Sequence, residues 1–422
     1  MTFAEFILAH DADDPARLLL SRGRYPGMDI PLAASTLECR RKLRTKVPEW
    51  YAVPSLVYPN RLSAEQCSST ETARYKAAVA VGSIPSGAQA SGEGPLRIAD
   101  LTGGLGVDAW AFSEVADEVL YNEMQTPLAE AAGHNFRELG AGRIRLSNWT
   151  LVATGCGDAD GQAPGIGPAG TVTDVLGDFV PDLLFLDPAR RSGDGRKVFF
   201  LEDCRPDVLR LLPDLLGACP RVLLKLSPMA DISRVAGQLG QVREVHAVAA
   251  GGECKELLVL LERGWTGGYT LTAYENGATL SWTPGEEREA PVVYAGAEDL
   301  SSGCLFEPGK ALLKAGAFRL LSGRFGLKKV DVNTHLYMAR EIPESLSPLG
   351  KCFRVLDNLP LDKRTLREAG RRYPRAEVTA RNVPMTSEEL REKCGCASGG
   401  EFHLFALRTA SSGKRLLITQ CL

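Results

Sequence analysis

Apolar positions in the first 80 residues recur at helical spacing, and from Leu96 the rhythm changes to short apolar runs alternating with helical stretches. In the first region Asp14-Pro15 opens a helix through Arg17-Leu18-Leu19-Leu20, and Ser63-Ala64-Glu65-Gln66 has the pattern of a capping box. Residues Ser83 to Pro95 are rich in Gly, Pro and Ser, which puncture regular structure, and read as a linker or surface loop. From Leu96 to about Arg263 the alternation predicts a doubly wound parallel sheet, with strands near Arg97 to Leu101, Glu118 to Asn122, Arg143 to Leu146, Leu183 to Leu186, Arg221 to Leu226, Val242 to Ala249 and Leu257 to Leu261. Only Gly251-Gly252 and a few neighbours separate the last two runs, so they read as an antiparallel hairpin. Between Ala153 and Thr171 the chain is dominated by Gly, Ala, Pro and Asp and reads as an insertion loop.

After Trp265 the pattern changes again. Gly268 to Tyr274 reads as strand and Lys310 to Phe318 as helix. The end gives strand (Cys352 to Leu356), helix (Asp362 to Tyr373), strand (Glu377 to Arg381), helix (Ser387 to Cys394) and two strands (Phe402 to Arg408, Arg415 to Gln420). The expected organisation is a helical region over 1–80, an α/β domain over 81–265, a small linking domain over 266–345 and a compact α+β module over 346–422.

A chain of 422 residues with 44% hydrophobic residues can bury a large core and fits several domains. Its formal net charge of -3 excludes a uniformly basic protein, so any polyanion-binding face must be local. The eleven cysteines lack paired metal spacing, which points to reduced thiols in the cytoplasm, and no metal is expected. Cys394-Gly395-Cys396 fits neither a zinc knuckle nor a Cys-x-x-Cys redox pair. The N-terminus has no basic leader region, and no apolar run approaches the roughly 18 residues of a membrane span.

The chemistry concentrates at predicted strand ends. The run Leu96 to Leu101 ends in an acid, Asp100, and breaks into Thr102-Gly103-Gly104-Leu105-Gly106-Val107-Asp108, a strand-to-helix turn in which side chains would obstruct a nucleotide's approach to the backbone. Asp100, Thr102, Gly103, Gly104, Gly106 and Asp108 are therefore candidate cofactor residues. A second acid, Glu123, ends the next strand, where a carboxylate accepts hydrogen bonds from both hydroxyls of a ribose. Asn148, near the third strand's exit, is the candidate to frame an adenine. Gly104 to Ala109 also satisfies the loose G-x-G-x-x-A pattern of nicotinamide enzymes. Against that stand the acid-Leu-Thr-Gly lead-in, which suits a cofactor with a cationic amino-acid tail, and the Asp187-Pro188 pair that ends the fourth strand. Together they point to S-adenosylmethionine.

Asp187, Pro188 and Arg190 lie at the carboxyl end of the fourth strand, the edge where open α/β sheets bind ligands. Asp187 is placed to accept a hydrogen bond from an acceptor amine, and Pro188 fixes the φ angle of the loop. Lys225, at the end of the fifth strand, either binds substrate phosphate or caps its strand with a solvated charge. The same two readings apply to Arg190 and Arg191, with Arg196-Lys197 nearby. The polar run Cys67 to Lys76 either lines the entrance to the site or forms an exposed helix face. Near the end of the chain Lys363, Arg364, Arg367, Arg371, Arg372, Arg375 and Arg381 make a local basic face that fits a phosphate backbone or serves as a charged helix surface, and Arg319, Arg324, Lys328 and Lys329 stand upstream.

Over nearly its full length the chain resembles bacterial class I methyltransferases that carry a ferredoxin-like insert and a C-terminal THUMP-like domain. The resembling pieces are Gln66-Cys67-Ser68-Ser69, Asp100-Leu101-Thr102-Gly103-Gly104, Leu186 to Arg191, Leu201-Glu202-Asp203-Cys204, Lys225-Leu226-Ser227-Pro228 and Leu312 to Phe318. The resemblance implies a Rossmann-like α/β methyltransferase sheet with an N-terminal helical region and small C-terminal α+β modules. It also implies S-adenosylmethionine as cofactor and, because THUMP domains bind RNA, a tRNA or rRNA substrate. Nucleic-acid N-methylating members carry Asp-Pro-Pro-Tyr on the fourth strand, whereas here Ala189 replaces the second proline and Arg190 the stacking aromatic. The Asp-Pro-Pro-Arg members that methylate pyrimidine C5 need a cysteine after the fifth strand, where this chain has Leu224-Lys225-Leu226-Ser227-Pro228. What remains is direct, non-covalent transfer, or an RNA-binding protein that holds the cofactor without transfer.

Overall fold

The computed structural model describes residues 1–83, 95–155, 164–190 and 201–422. The expected linker, the centre of the insertion loop, and Arg191, Arg196 and Lys197 lie outside the described residues. The chain divides into two compact units, one of Met1–Arg243 with Leu257–Gly267, the other of Glu244–Glu256 with Gly268–Leu422.

The first unit carries the parallel sheet: β1 (Arg97–Asp100), β2 (Glu118–Asn122), β3 (Ile144–Ser147), β4 (Leu183–Leu186) and β5 (Arg221–Leu226). β1 pairs in parallel with β2 on one side and β4 on the other, β2 with β3 and β4 with β5, while residues 257–262 run antiparallel to β5. All four residues of β4 are buried, as expected where helices cover both faces of a parallel sheet. Strand order reverses at β1, whose neighbours come from opposite directions of the winding, and open α/β sheets bind ligands beyond the strand ends at such a point. Asp100 registers with Tyr121 on β2 and Phe185 on β4, so the exits of β1, β2 and β4 lie at one edge.

Helices α1 (Ile30–Lys46) and α2 (Thr70–Gly82) belong to the N-terminal region, which has its own small core of Phe6, Ile7, Leu18, Ile30, Ala33 and Leu37. The helix Arg61–Gln66 is capped by Asn60, whose side-chain Oδ1 accepts from Leu62 N at 2.9 Å. Ser63 therefore lies inside that helix, and the capping box expected there is absent because Asn60 starts the helix earlier. A capping box does open α2, where Ser69 and Thr72 satisfy each other's backbone N–H groups. Helices α3 (Val107–Ser113) and α4 (Thr126–Glu138) follow β1 and β2. The side chain of Asn135 on α4 grips Val57 N and O, both at 2.9 Å, and ties the N-terminal region to the sheet's covering helices.

Most of β6 (Val242–Ala250) belongs to the second unit and most of β7 (Glu253–Glu262) to the first, and they are joined through Gly251 and Gly252, both in the left-handed conformation that a two-residue hairpin requires. The expected strand after Trp265 is β8 (Thr270–Glu275), which pairs in parallel with β6 and antiparallel with β9 (Ala278–Trp282). A seven-stranded sheet follows, formed by β10 (Cys304–Pro308), β11 (Lys328–Asp331), β12 (Thr334–Ala339), β13 (Gly350–Pro360), β14 (Arg375–Arg381), β15 (Ala397–Thr409) and β16 (Gly413–Cys421), in the order β11-β12-β10-β13-β16-β15-β14. Sequence reading separates 266–345 from 346–422, but β10 and β13 pair antiparallel across that boundary. Leu305, Val330, Leu336, Met338, Phe353, Phe405 and Leu417 form one core beneath both parts. Against this sheet pack α7 (Lys363–Arg372) and α8 (Ser387–Cys394), while α5 (Val208–Ala218) and α6 (Ile232–Leu239) are further helices of the first unit. Cys394 and Cys396 are buried in an apolar core with Leu366, Tyr373 and Leu390, and burial pushes the Cys394 thiol up to about 12.

Candidate active site

The turn after β1 is shaped by its packing. A Cβ on Gly103 would stand 2.1 Å from Tyr121 Cε2, and one on Gly106 2.6 Å from Phe136 Cζ, so these glycines make room for buried aromatic rings. At Gly104 a Cβ would meet only Thr102 O, at 3.9 Å. The Gly104 N–H donates to Glu123 Oε2 at 2.9 Å, and its carbonyl accepts from Tyr121 OH at 2.5 Å. Glu123 Oε1 accepts from Gln125 N at 2.8 Å. Glu123 is buried, and burial raises its carboxyl pKa while those two backbone donors pull it down.

Asp100 is 1% exposed and accepts from Thr102 N at 3.1 Å. Burial raises its pKa well above the usual carboxylate range, and the charges of Asp108, Asp187 and Glu123 add to the rise. The hydroxyl of Thr102 accepts from Asp187 N at 2.6 Å, which joins the exits of β1 and β4. Asp187 Oδ2 lies 2.5 Å from Lys225 Nζ, so Lys225, expected to meet phosphate or solvent, is committed to an ion pair. Pro188 is buried, and Ala189–Arg190 pairs antiparallel with Cys204–Arg205.

Asp108 opens α3 with its carboxylate turned towards the N-terminal region. Its Oδ1 lies 3.3 Å from Nζ of Lys76, which is wholly buried, and its Oδ2 accepts from Ser68 Oγ at 2.9 Å. The polar run Cys67 to Lys76 is thus neither a solvated face nor an open entrance at Ser68, Thr72 and Lys76, all of which are buried. Asn148 donates to the carbonyls of Glu123 and Met124 at 2.6 and 3.2 Å and accepts from Thr126 Oγ1 at 2.9 Å, bracing the exits of β2 and β3. Sequence reading missed Asn122. Its side chain donates to Leu101 O and Trp149 O and accepts from Trp149 N, stitching three strand exits together. Its place beside Glu123 at the end of an apolar run was the available signal. Ser68, in the turn before α2, and Lys76, on α2, were marked by the polarity of the run Cys67 to Lys76, and Ser68 also by the resembling stretch Gln66 to Ser69.

Four carboxylates (Asp100, Asp108, Glu123, Asp187) and two ammonium groups (Lys76, Lys225) thus gather at the carboxyl edge of β1, β2 and β4. Among the described residues no group of three or more His, Cys, Asp or Glu is arranged to hold a metal ion. No described helix is long and apolar enough to cross a membrane.

Comparison with known structures shows the family. A candidate methyltransferase from Porphyromonas gingivalis W83 is 30% identical, with 99% of this chain and 97% of that chain covered at a TM-score of 0.78. The chain belongs to this methyltransferase family. Residues 305–346 match a ferredoxin-like domain and residues 350–420 a THUMP-like domain. The chain is also similar to a ribosomal protein L11 methylase from Lactobacillus delbrueckii subsp. bulgaricus (16% identity, 50% of this chain and 82% of that one, TM-score 0.27). A precorrin-6y C5,15-methyltransferase from Geobacter metallireducens GS-15 gives 12% identity over 39% of this chain and 78% of that one, with a TM-score of 0.26. These two are too distant to carry any argument about substrate. No curated protein matches the chain.

In the THUMP-like part of this methyltransferase, Lys363, Arg364, Arg367, Arg371, Arg372, Arg375 and Arg381 are all exposed. Arg364, Arg367 and Arg371 share one face of α7 by their spacing, while Arg372 stacks on Tyr373. The upstream cations are committed elsewhere. Arg319 donates to Ala290 O, Arg324 to Ser281 O and Glu286, Lys328 to Asp299, and the buried Lys329 to Val332 O.

Proposed function

We propose that this methyltransferase uses S-adenosylmethionine to methylate RNA, tRNA or rRNA, by direct non-covalent transfer. The carrying observation is the excess of carboxylates over ammonium groups at the switch point of the sheet. Burying like charges costs free energy unless a cation joins them, and the cost at Asp100 is written in its raised pKa. A ligand bearing both a sulfonium and an ammonium group fits that field; a dinucleotide pyrophosphate does not.

In this reading Asp100, Thr102, Gly103, Gly104 and Gly106 hold the cationic end of the cofactor, Glu123 takes the ribose hydroxyls, and Asn148 holds the wall beside the adenine. When bound, the cofactor supplies an electrophilic methyl group. The chain itself supplies position and charge. Asp187 accepts a hydrogen bond from an acceptor N–H, Pro188 fixes the loop that carries it, Lys225 pairs with the carboxylate, and Arg190 follows on the same loop. The exposed cations of α7 fit the phosphates of the RNA.

Calorimetry with S-adenosylmethionine tests the cofactor, and failure to bind sinks the reading. Transfer of tritiated methyl to total RNA from cells lacking the protein tests the reaction. Cofactor binding without labelled RNA, DNA or protein would leave an RNA-binding protein with a methyltransferase fold.

A further inference from the structure

Five side chains from four separate stretches of the first unit form one line of alternating charge. Lys76 Nζ lies 3.3 Å from Asp108 Oδ1, Ser68 Oγ lies 2.9 Å from Asp108 Oδ2 and 3.5 Å from Lys225 Nζ, and Lys225 Nζ lies 2.5 Å from Asp187 Oδ2. We propose that Ser68 and Lys76, both carried by the N-terminal helical region, are positioning residues that act through Asp108 and Lys225 to hold the Asp187 carboxylate in place for the methyl acceptor. The inference rests on the reading that Asp187 meets that acceptor.

The direction of every hydrogen bond follows from the chemistry of the ends. An ionised carboxylate only accepts and an ammonium group only donates. The Ser68 hydroxyl must therefore give its one hydrogen to Asp108 and turn a lone pair to Lys225. Lys225 then donates to Ser68 and to Asp187 among its partners, and the two contacts together direct its Nζ. Lys76 is wholly buried and Ser68 is 5% exposed, so water does not readily replace either partner. Asp187 is anchored a second time by its backbone N–H to Thr102 Oγ1, so an ammonium group holds its carboxylate and a hydroxyl its backbone. A single solvated lysine beside Asp187 would supply charge without fixing an angle. The relay supplies the angle, and small displacements of a reacting group are costly in rate.

Ser68→Ala removes the hydroxyl with almost no change of volume, and Ser68→Thr restores it. Each variant is assayed with tritiated S-adenosylmethionine and total RNA from cells lacking the protein, and the cofactor dissociation constant is measured by calorimetry. Ser68→Ala is expected to lower kcat about tenfold, the scale of one lost hydrogen bond to a charged group, with cofactor affinity within about twofold. Ser68→Thr is expected to recover most of kcat. Unchanged kcat in Ser68→Ala, a loss seen only in cofactor affinity, or a Thr variant as impaired as the Ala variant overturns the proposal. A second measurement needs no acceptor: the urea midpoint shift caused by Ser68→Ala is compared in the native and Asp187→Asn backgrounds. A smaller shift in the Asn background shows the two ends to be coupled, and equal shifts overturn the relay. A native chain that labels no RNA sinks the functional reading alone, and the coupling measurement then decides the relay.

Discussion

Replacing Lys76 with methionine should destabilise the first unit far more than a typical substitution. Lys76 is wholly buried and pairs with Asp108, which is 8% exposed. Methionine keeps an unbranched stem of similar length, so little cavity opens and the loss is almost purely that of the charge. Breaking a buried ion pair by removing one partner costs about 3–5 kcal/mol, because the remaining charge is left uncompensated. The Ser68 hydroxyl still solvates Asp108 Oδ2 at 2.9 Å, which places the expected cost near the lower end, about 3 kcal/mol. With an m-value of about 3 kcal/mol/M in urea, the midpoint falls by about 1 M. Tryptophan fluorescence reports on the right place: Trp110 lies two residues from Asp108 on α3, and its ring centroid is 6.1 Å from that of Trp50 in the N-terminal region. The double variant Lys76→Met with Asp108→Asn removes both charges while leaving an oxygen for Ser68, and should return to within about 1 kcal/mol of the native chain. A single variant as stable as the native chain, or a double variant no better than the single, would refute the reasoning.

Asp100→Asn should raise the melting temperature at pH 7 and abolish the calorimetric signal of S-adenosylmethionine binding. A carboxyl whose folded pKa lies above its unfolded value stabilises the fold below the unfolded value, and that stability is lost as pH rises through the folded one. The variant's advantage must therefore shrink as pH falls to about 4, and an advantage that grows on acidification contradicts the assignment. Gly103→Ala puts a methyl group 2.1 Å from the ring of Tyr121, which is itself buried. Overpacking of this kind costs about 1–3 kcal/mol, and thermal melting at native-like levels would show that the ring yields freely. Triple substitution of Arg364, Arg367 and Arg371 by alanine should reduce the slope of log K against log salt for unmodified tRNA transcripts by about 2, from about 0.7 per lost contact with single strands. A binding assay between 50 and 200 mM salt measures it, and an unchanged slope removes α7 from the RNA surface.

Periodicity and turn chemistry were enough to locate most of the secondary structure. The runs at Arg97, Glu118, Leu183 and Arg221 are strands of one parallel sheet, and Asp100, Glu123 and Asp187 stand at its carboxyl edge because acids that end apolar runs leave the sheet there. The α+β module at the end was equally legible, since its helices carry plain caps at Asp362 and Thr386. The fusion of its sheet with the preceding strands was not, because pairing between β10 and β13 leaves no local trace in either run.

What only the tertiary structure decided is which charges meet. Ser68 finds Asp108 across 40 residues and Lys225 across 157, and Lys225 finds Asp187 across 38. Sequence patterns report a residue's preference for inside or outside and for helix or strand, and by that measure Lys76 is an ordinary cation on a polar helix. Its burial depends on an acid supplied by a distant turn, and the structure of this edge is held by such long-range pairs. The sequence by itself determined that Asp100, Glu123 and Asp187 end apolar runs at the carboxyl edge of the sheet, and the fold decided how that edge is wired.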